Sequence, residues 1–262
     1  MELVEIYNYY WNERSDSRTN NLPLIGSPII IPTIIFSYLY FVLKCGPQFM
    51  KNRKPYNLKT FIQWYNIFQI IANAYLVQQN ISAGWFSEIS VFCEMPDYSY
   101  KPGPVKIAYT MWLTTMLKLI DLAETVVFVL RKKQEQISFL HVYHHVSTIL
   151  LLWFMTKYYA VTMTSFGILI NCAVHVIMYT YYYLSTLGPN MQKILSPYKP
   201  IITSVQMVQF VICTLYALQA YSPSCPVSKV PVNTAISQLI INFLLFYNFY
   251  RQNYTKSIQK KH

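Results

Sequence analysis

Seven runs of mostly apolar residues, joined by short polar connections, leave this chain few folds to adopt. About 20 such residues span a bilayer core as an α-helix, and in lipid only helices and closed barrels satisfy every backbone group. The runs lie near 24–43, 58–79, 106–130, 138–158, 161–184, 200–221 and 231–250. Residues 1–262 are therefore expected to form one all-α, polytopic membrane domain with seven transmembrane helices. Only 12% of the chain is charged, against roughly 25% in soluble domains. The net charge of +11 would suit nucleic acid if it were clustered on one soluble face. Here the basic residues sit between apolar runs, so no nucleic-acid partner is expected. Met1 to Asn21 is polar and acidic and lacks the apolar stretch of a signal peptide, so the first span is expected to direct its own insertion.

Seven spans put the termini on opposite sides, and the Lys and Arg bias then sets orientation. Fourteen of these residues, from Lys44 to Lys261, fall on the side reached after the odd-numbered spans, and six fall on the other. The N-terminus is predicted to be lumenal and the C-terminus cytosolic. Of five cysteines, only Cys93 and Cys225 then lie in lumenal loops, where a disulfide is permitted. They are expected to bridge the second-to-third and sixth-to-seventh connections, with two unpaired thiols as the alternative. Cys45, Cys172 and Cys213 are expected to stay reduced. Of two N-x-[ST] sequons, Asn80 would face the lumen, too close to the membrane for efficient glycosylation, and Asn253 the cytosol.

Each charge in mid-span costs roughly 2.5–3.5 kcal/mol on insertion scales, which makes intramembrane polar groups informative. In the third span, Lys118, Asp121 and Thr125 share one helical face and Glu124 lies beside them. Lys118 and Asp121 can neutralise each other, whereas Glu124 has no partner evident in sequence. The fourth span opens with His141, His144 and His145, whose spacing brings three imidazoles onto one face. In the fifth, Asn171, His175, Tyr179 and Tyr182 form one stripe, and in the sixth Thr203, Gln206 and Gln209 form another. Interhelical hydrogen bonding is the plainer explanation for the last two. At ~1.5 Å per residue, however, Asp121, Glu124, His144, His175, Gln206 and Gln209 all fall ~9–14 Å from the cytosolic ends of their helices. A polar chamber opening toward the cytosol would produce that layer. Arg131, Lys133, Lys199 and Arg251 at its rim would attract an anionic, phosphate-bearing ligand.

These residues resemble the signatures of the very-long-chain fatty acid elongases, also called very-long-chain 3-oxoacyl-CoA synthases. The resemblance takes in Gly46-Pro47, Asn52-Arg53-Lys54-Pro55, the Lys118–Thr125 segment, Phe128–Lys133 and the Phe139–His145 histidine box. It continues through Asn171, His175, Tyr179 and Tyr182 to Thr203, Gln206 and Gln209. The chain departs from the family's pattern in placing Asp121 before Glu124, and in ending Gln259-Lys260-Lys261-His262 where a dilysine retrieval tail is usual.

The resemblance implies six helices in a barrel around an acyl tunnel closed toward the lumen, in the endoplasmic reticulum membrane. It implies condensation of a long-chain acyl-CoA with malonyl-CoA to a 3-oxoacyl-CoA two carbons longer, releasing CoA and CO2. His144 would accept the acyl group and His175 would share in handling it. His141, His145 and Asn171 would stabilise the developing enolate, while Asp121 and Glu124 would orient the imidazoles. Lys118, Tyr179, Tyr182, Gln206 and Gln209 would line the substrate chamber, and Arg131, Lys133, Lys199 and Arg251 would hold CoA. No metal or other cofactor is implied. Expected partners are the lipid bilayer, the reductase and dehydratase of the elongation cycle, and a second copy in a homodimer. NADPH would serve a later enzyme, and the chain has no Gly-rich dinucleotide fingerprint.

Two other classes share some of these features. A di-iron desaturase or hydroxylase also uses histidine boxes, but such a site needs about eight nitrogen or carboxylate ligands, and this chain has five histidines. A seven-helix transporter or receptor shares the helix count and has no need of H-x-x-H-H.

Overall fold

The computed structural model describes residues 2–255, so Lys256, Lys260, Lys261 and the Gln259–His262 tail lie outside the described residues. Among the described residues the regular structure is helical, apart from one isolated bridge between Trp85 and Ile89. In chain order the α-helices are α1 (Leu3–Asn8), α2 (Ile30–Tyr40), α3 (Gly46–Met50), α4 (Lys59–Ser82), α5 (Pro102–Leu130), α6 (Phe139–Tyr158), α7 (Thr162–Ser185), α8 (Pro189–Leu195), α9 (Lys199–Leu218) and α10 (Lys229–Tyr250).

Among the described residues, five helical stretches are long and apolar enough to cross a membrane: Ile30–Met50, Phe139–Tyr158, Thr162–Ser185, Pro189–Tyr221 and Lys229–Thr255. The chain is therefore a membrane protein. α4 and α5 have ample length, at 24 and 29 residues, but fall outside that set, a departure from the seven spans expected. Their polar side chains explain it. α4 buries Asn66, Gln69, Asn73 and Asn80, and α5 buries Thr110, Thr114, Thr115, Lys118, Asp121 and Thr125. Gln69, Thr115, Lys118, Asp121 and Thr125 find hydrogen-bond partners on neighbouring helices, which replace water, while Asn80, Thr110 and Thr114 donate to carbonyls of their own helix.

The first helix differs most from expectation, because it begins at Ile30 rather than near residue 24. Pro23, Gly26 and Pro28 interrupt the apolar run, and Leu24 adopts a left-handed conformation with φ 69°. That segment is instead a strap, tied down by Trp11 Nε1 donating to the Gly26 carbonyl at 2.9 Å and Trp112 Nε1 donating to the Pro23 carbonyl at 3.0 Å. At its other end the helix runs on through Gly46-Pro47, where a loop was expected. It does so by a wide π-turn over Phe41–Cys45, which accommodates a proline that lacks the usual amide donor. A Cβ on Gly46 would sit 2.7 Å from Val129 Cγ1 and 2.8 Å from the Phe41 carbonyl oxygen, so only glycine permits this close approach to α5.

α4 packs on α7 and α5, α7 on α9, α9 on α10, α10 on α6, and α6 on α5. Leu76, Met111, Leu117, Met155, Ile168 and Cys172 form the apolar centre where α4 to α7 meet. The first helix lies against α5 and α6 through Ile31, Ile35, Tyr38 and Val42, which meet Leu122, Val129 and Ile149. One end of the bundle is closed by the strap and by a disulfide between Cys93 and Cys225, whose Cα atoms are 5.8 Å apart. There Arg18 is paired with Asp16 at 2.6 Å and also donates to the Ala160 and Asp97 carbonyls. Lys157 reaches Asn20 Oδ1 at 2.7 Å and lies over the Trp11 ring. Cys172 and Cys213 are buried free thiols, and Cys45 is an exposed one.

Candidate active site

The buried face of α5 starts the site. Lys118 Nζ lies 3.1 Å from Asp121 Oδ2 and 3.0 Å from His175 Nδ1 on α7. The other Asp121 oxygen accepts from Gln69 Nε2 of α4 at 2.7 Å, and Gln69 Oε1 accepts in turn from Asn73 Nδ2 at 3.2 Å. An ion pair this deep persists because both of its members are also hydrogen-bonded. One turn further, Thr125 Oγ1 lies 2.8 Å from both Tyr38 OH and His141 Nε2. Glu124, which has no partner evident in sequence, does have neighbours: the Tyr179 hydroxyl interacts with its carboxylate, and His145 Nε2 lies 3.9 Å from Oε2. Those contacts come from other helices, which is why the α5 sequence does not reveal them.

α6 starts where Ser138 accepts from the His141 amide at 3.2 Å, an N-cap that sets the helix phase. His141, His144 and His145 follow within the first two turns. The His141 and His145 rings are 4.4 Å apart and those of His144 and His145 are 5.9 Å apart. His144 Nδ1 lies 3.1 Å from Asn242 Oδ1 of α10, and its ring meets Phe246 edge-on.

On α7, His175 and Tyr179 are buried, and Asn171 lines a cavity. Tyr182 lies edge-on to Tyr179 and is more exposed, at 39%. Gln209 of α9 is buried and lines the same cavity. Gln206 instead turns to Met178 Sδ at 3.1 Å, and Thr203 contacts Tyr254. Arg131 is half-buried at the end of α5, while Lys133, Lys199 and Arg251 are exposed at the ends of their elements.

The cavity is about 180 Å³ and joins His144, Asn171, Gln209 and Gln238 to apolar walls supplied by Leu151, Met155, Ile168, Phe210 and Cys213. Along α6 it runs from His144 to Tyr159, about 22 Å at the helical rise. A larger cavity of about 830 Å³ lies beside the N-terminal segment, lined by Trp11, Arg14, Trp153 and Tyr158, and none of the four described histidines borders it. Glu124, His141 and His145 present ligand atoms within 4.8 Å of one another, a spacing one cation could use. Three donors are far from the roughly eight of a di-iron centre.

Sequence reasoning missed Gln69, Tyr38 and Asn242. Gln69 with Asn73, and Gln238 with Asn242, recur at i, i+4 on their helices. That signal marks a polar face just as it does on the fifth span.

The helices thus gather four imidazoles, a lysine and two carboxylates inside a membrane protein, with His144 at one end of an apolar-walled cavity. The family model described as ELO, GNS1/SUR4 family, matches residues 23–262. The chain is 38% identical over 258 residues to very long chain fatty acid elongase 1 of Mus musculus, covering 98% of this chain and 92% of that protein. It is 39% identical to very long chain fatty acid elongase 7 of Rattus norvegicus, covering 94% and 88% respectively. To very long chain fatty acid elongase 7 of Drosophila melanogaster it is 33% identical, covering 98% and 79%. The chain belongs to the very long chain fatty acid elongase family.

Proposed function

We propose that this enzyme condenses a long-chain fatty acyl-CoA with malonyl-CoA, giving a 3-oxoacyl-CoA two carbons longer, and that the acyl group passes through His144. The observation that carries this reading is the position of His144 at the polar end of an apolar cavity, with one ring nitrogen hydrogen-bonded to Asn242. Nε2 is then available as the nucleophile toward the thioester carbon. His175 would present the opposite polarity. A lysine ammonium can only donate, so Lys118 makes His175 Nδ1 an acceptor and leaves its Nε2–H to stabilise developing negative charge. Decarboxylation of malonyl-CoA would supply the enolate that attacks the acyl carbon, and His141, His145 and Asn171 would support it.

The order of helix contacts, α4–α7–α9–α10–α6–α5–α4, supports a ring of six helices around the acyl tunnel, with the first helix outside. In this reading α4 and α5 also span the membrane, giving seven spans. The tunnel's closed end carries the Cys93–Cys225 disulfide, which suits the oxidising lumen of the endoplasmic reticulum. The N-terminus is then lumenal, the C-terminus is cytosolic, and Arg131, Lys133, Lys199 and Arg251 meet the CoA phosphates. The reductase and dehydratase of the cycle take the product onward, and the enzyme works as a homodimer without a metal or other cofactor. The test is incorporation of labelled malonyl-CoA into 3-oxoacyl-CoA by membranes holding wild type or His144→Ala, offered saturated and unsaturated acyl-CoAs. Product from wild type alone is expected; equal product from both would overturn the role given to His144.

A further inference from the structure

We infer that Asn242 is a positioning residue that fixes the tautomer and orientation of the His144 imidazole and keeps its acyl adduct cationic. This rests on the reading of His144 as acyl acceptor. Asn242 lies in the apolar run of α10 and is fully buried. Its amide makes two contacts of opposite sense. Nδ2 donates to the Gln238 carbonyl at 2.8 Å, and Oδ1 lies 3.1 Å from His144 Nδ1. A backbone carbonyl can only accept, so the NH2 group must face Gln238 and the oxygen must face the imidazole. His144 therefore carries its proton on Nδ1 and its lone pair on Nε2. Phe246 lies edge-on to the ring, with centroids 5.7 Å apart, and limits its rotation.

The chemistry gives the amide a reason to be neutral. Attack by Nε2 on the thioester carbon forms the C–N bond and breaks the C–S bond, and CoA leaves as a thiolate that takes a proton from solvent. The imidazole keeps its Nδ1 proton, because an amide oxygen holds that hydrogen without removing it. The adduct is thus an acyl-imidazolium, a better acyl donor than a neutral acyl-imidazole. Malonyl-CoA loses CO2 to give an enolate, the enolate attacks the acyl carbon, and the C–N bond breaks. His144 returns as the neutral Nδ1–H tautomer in which it began. Charge balances with one proton taken up by the departing thiolate.

A purely structural Asn242, bonding α10 to α6, would affect stability without selectively slowing acyl transfer. The experiment mixes purified full-length enzyme with acyl-CoA alone and follows the first equivalent of CoA released. Wild type is expected to give a burst and His144→Ala none. Asn242→Leu and Asn242→Ala are expected to slow the burst about 100-fold, the scale of losing an imidazole's orienting partner, with half-saturating acyl-CoA unchanged. Asn242→Asp, which keeps an acceptor in place, should recover at least about tenfold of that loss. A burst within about threefold of wild type in the Leu and Ala variants would overturn the inference, as would an Asp variant as slow as they are. A wild type that elongates without any burst would refute the acyl-histidine reading itself, and this inference with it.

Discussion

Replacing Lys118 with methionine should separate stability from catalysis at one position. The Lys118 and Asp121 side chains are 5% and 3% exposed, with 3.1 Å between their charged atoms. At an effective dielectric of about 20, two charges that close attract by about 5 kcal/mol. Asp121 would keep its hydrogen bond from Gln69, a charge-assisted contact that contributes roughly 1.5–3 kcal/mol. That bond is present before and after the substitution, and the orphaned carboxylate should cost about 3–5 kcal/mol, the usual result of removing one member of a buried pair. For a domain of this size that lowers the thermal midpoint by about 10 °C. Lys118→Met/Asp121→Leu removes both charges and should regain most of the loss. It should still be inactive, because His175 Nδ1 no longer faces a cationic donor. The assay is thermal unfolding in detergent, followed by fluorescence-detected size exclusion, beside elongation of a fixed acyl-CoA. A single variant within about 2 °C of wild type, or a double variant less stable than the single, would refute the reasoning.

Cys93→Ser, Cys225→Ser and the double variant should all lose the same stability, about 2–4 kcal/mol, and so show the same fall in thermal midpoint, because they break one bond; a further drop in the double would count against that. Gly167→Leu on α7 should fold, because a Cβ there meets nothing within 4 Å, and should shift products to shorter chains by filling the cavity it borders. An unchanged product distribution would place the acyl chain elsewhere. Asn80→Gln should leave gel mobility unchanged after expression in a glycosylating host, since Asn80 is fully buried and donates to the Leu76 carbonyl; a faster-migrating variant would contradict this.

The helices were legible in the sequence because the apolar runs end at polar or proline-rich breaks, as at Pro102, which opens α5, and Pro189 after α7. The first helix was harder to place. The Pro23–Pro28 strap is apolar enough to read as span, and the π-turn at Phe41–Cys45 carries helix through a Gly-Pro pair that normally stops one. Side chains sharing a face, such as Lys118, Asp121 and Thr125, follow from helical period alone. The partners of Glu124 and His144 do not, because Tyr179, His145 and Asn242 come from other helices. Which faces meet is set by packing, as Gly46 against Val129 illustrates. The polar character of α4 was readable, but Gln69 meets Asp121 only once α4 lies on α5.

The central claim, that His144 carries the acyl group, is tested most directly by trapping the enzyme with acyl-CoA in the absence of malonyl-CoA and mapping the adduct by peptide mass spectrometry. An acyl mass increment on the peptide containing His144, absent from His144→Ala and discharged by malonyl-CoA into 3-oxoacyl-CoA, is the predicted result. An adduct on another residue that is competent for the same discharge, or turnover with no adduct at all, would contradict the account.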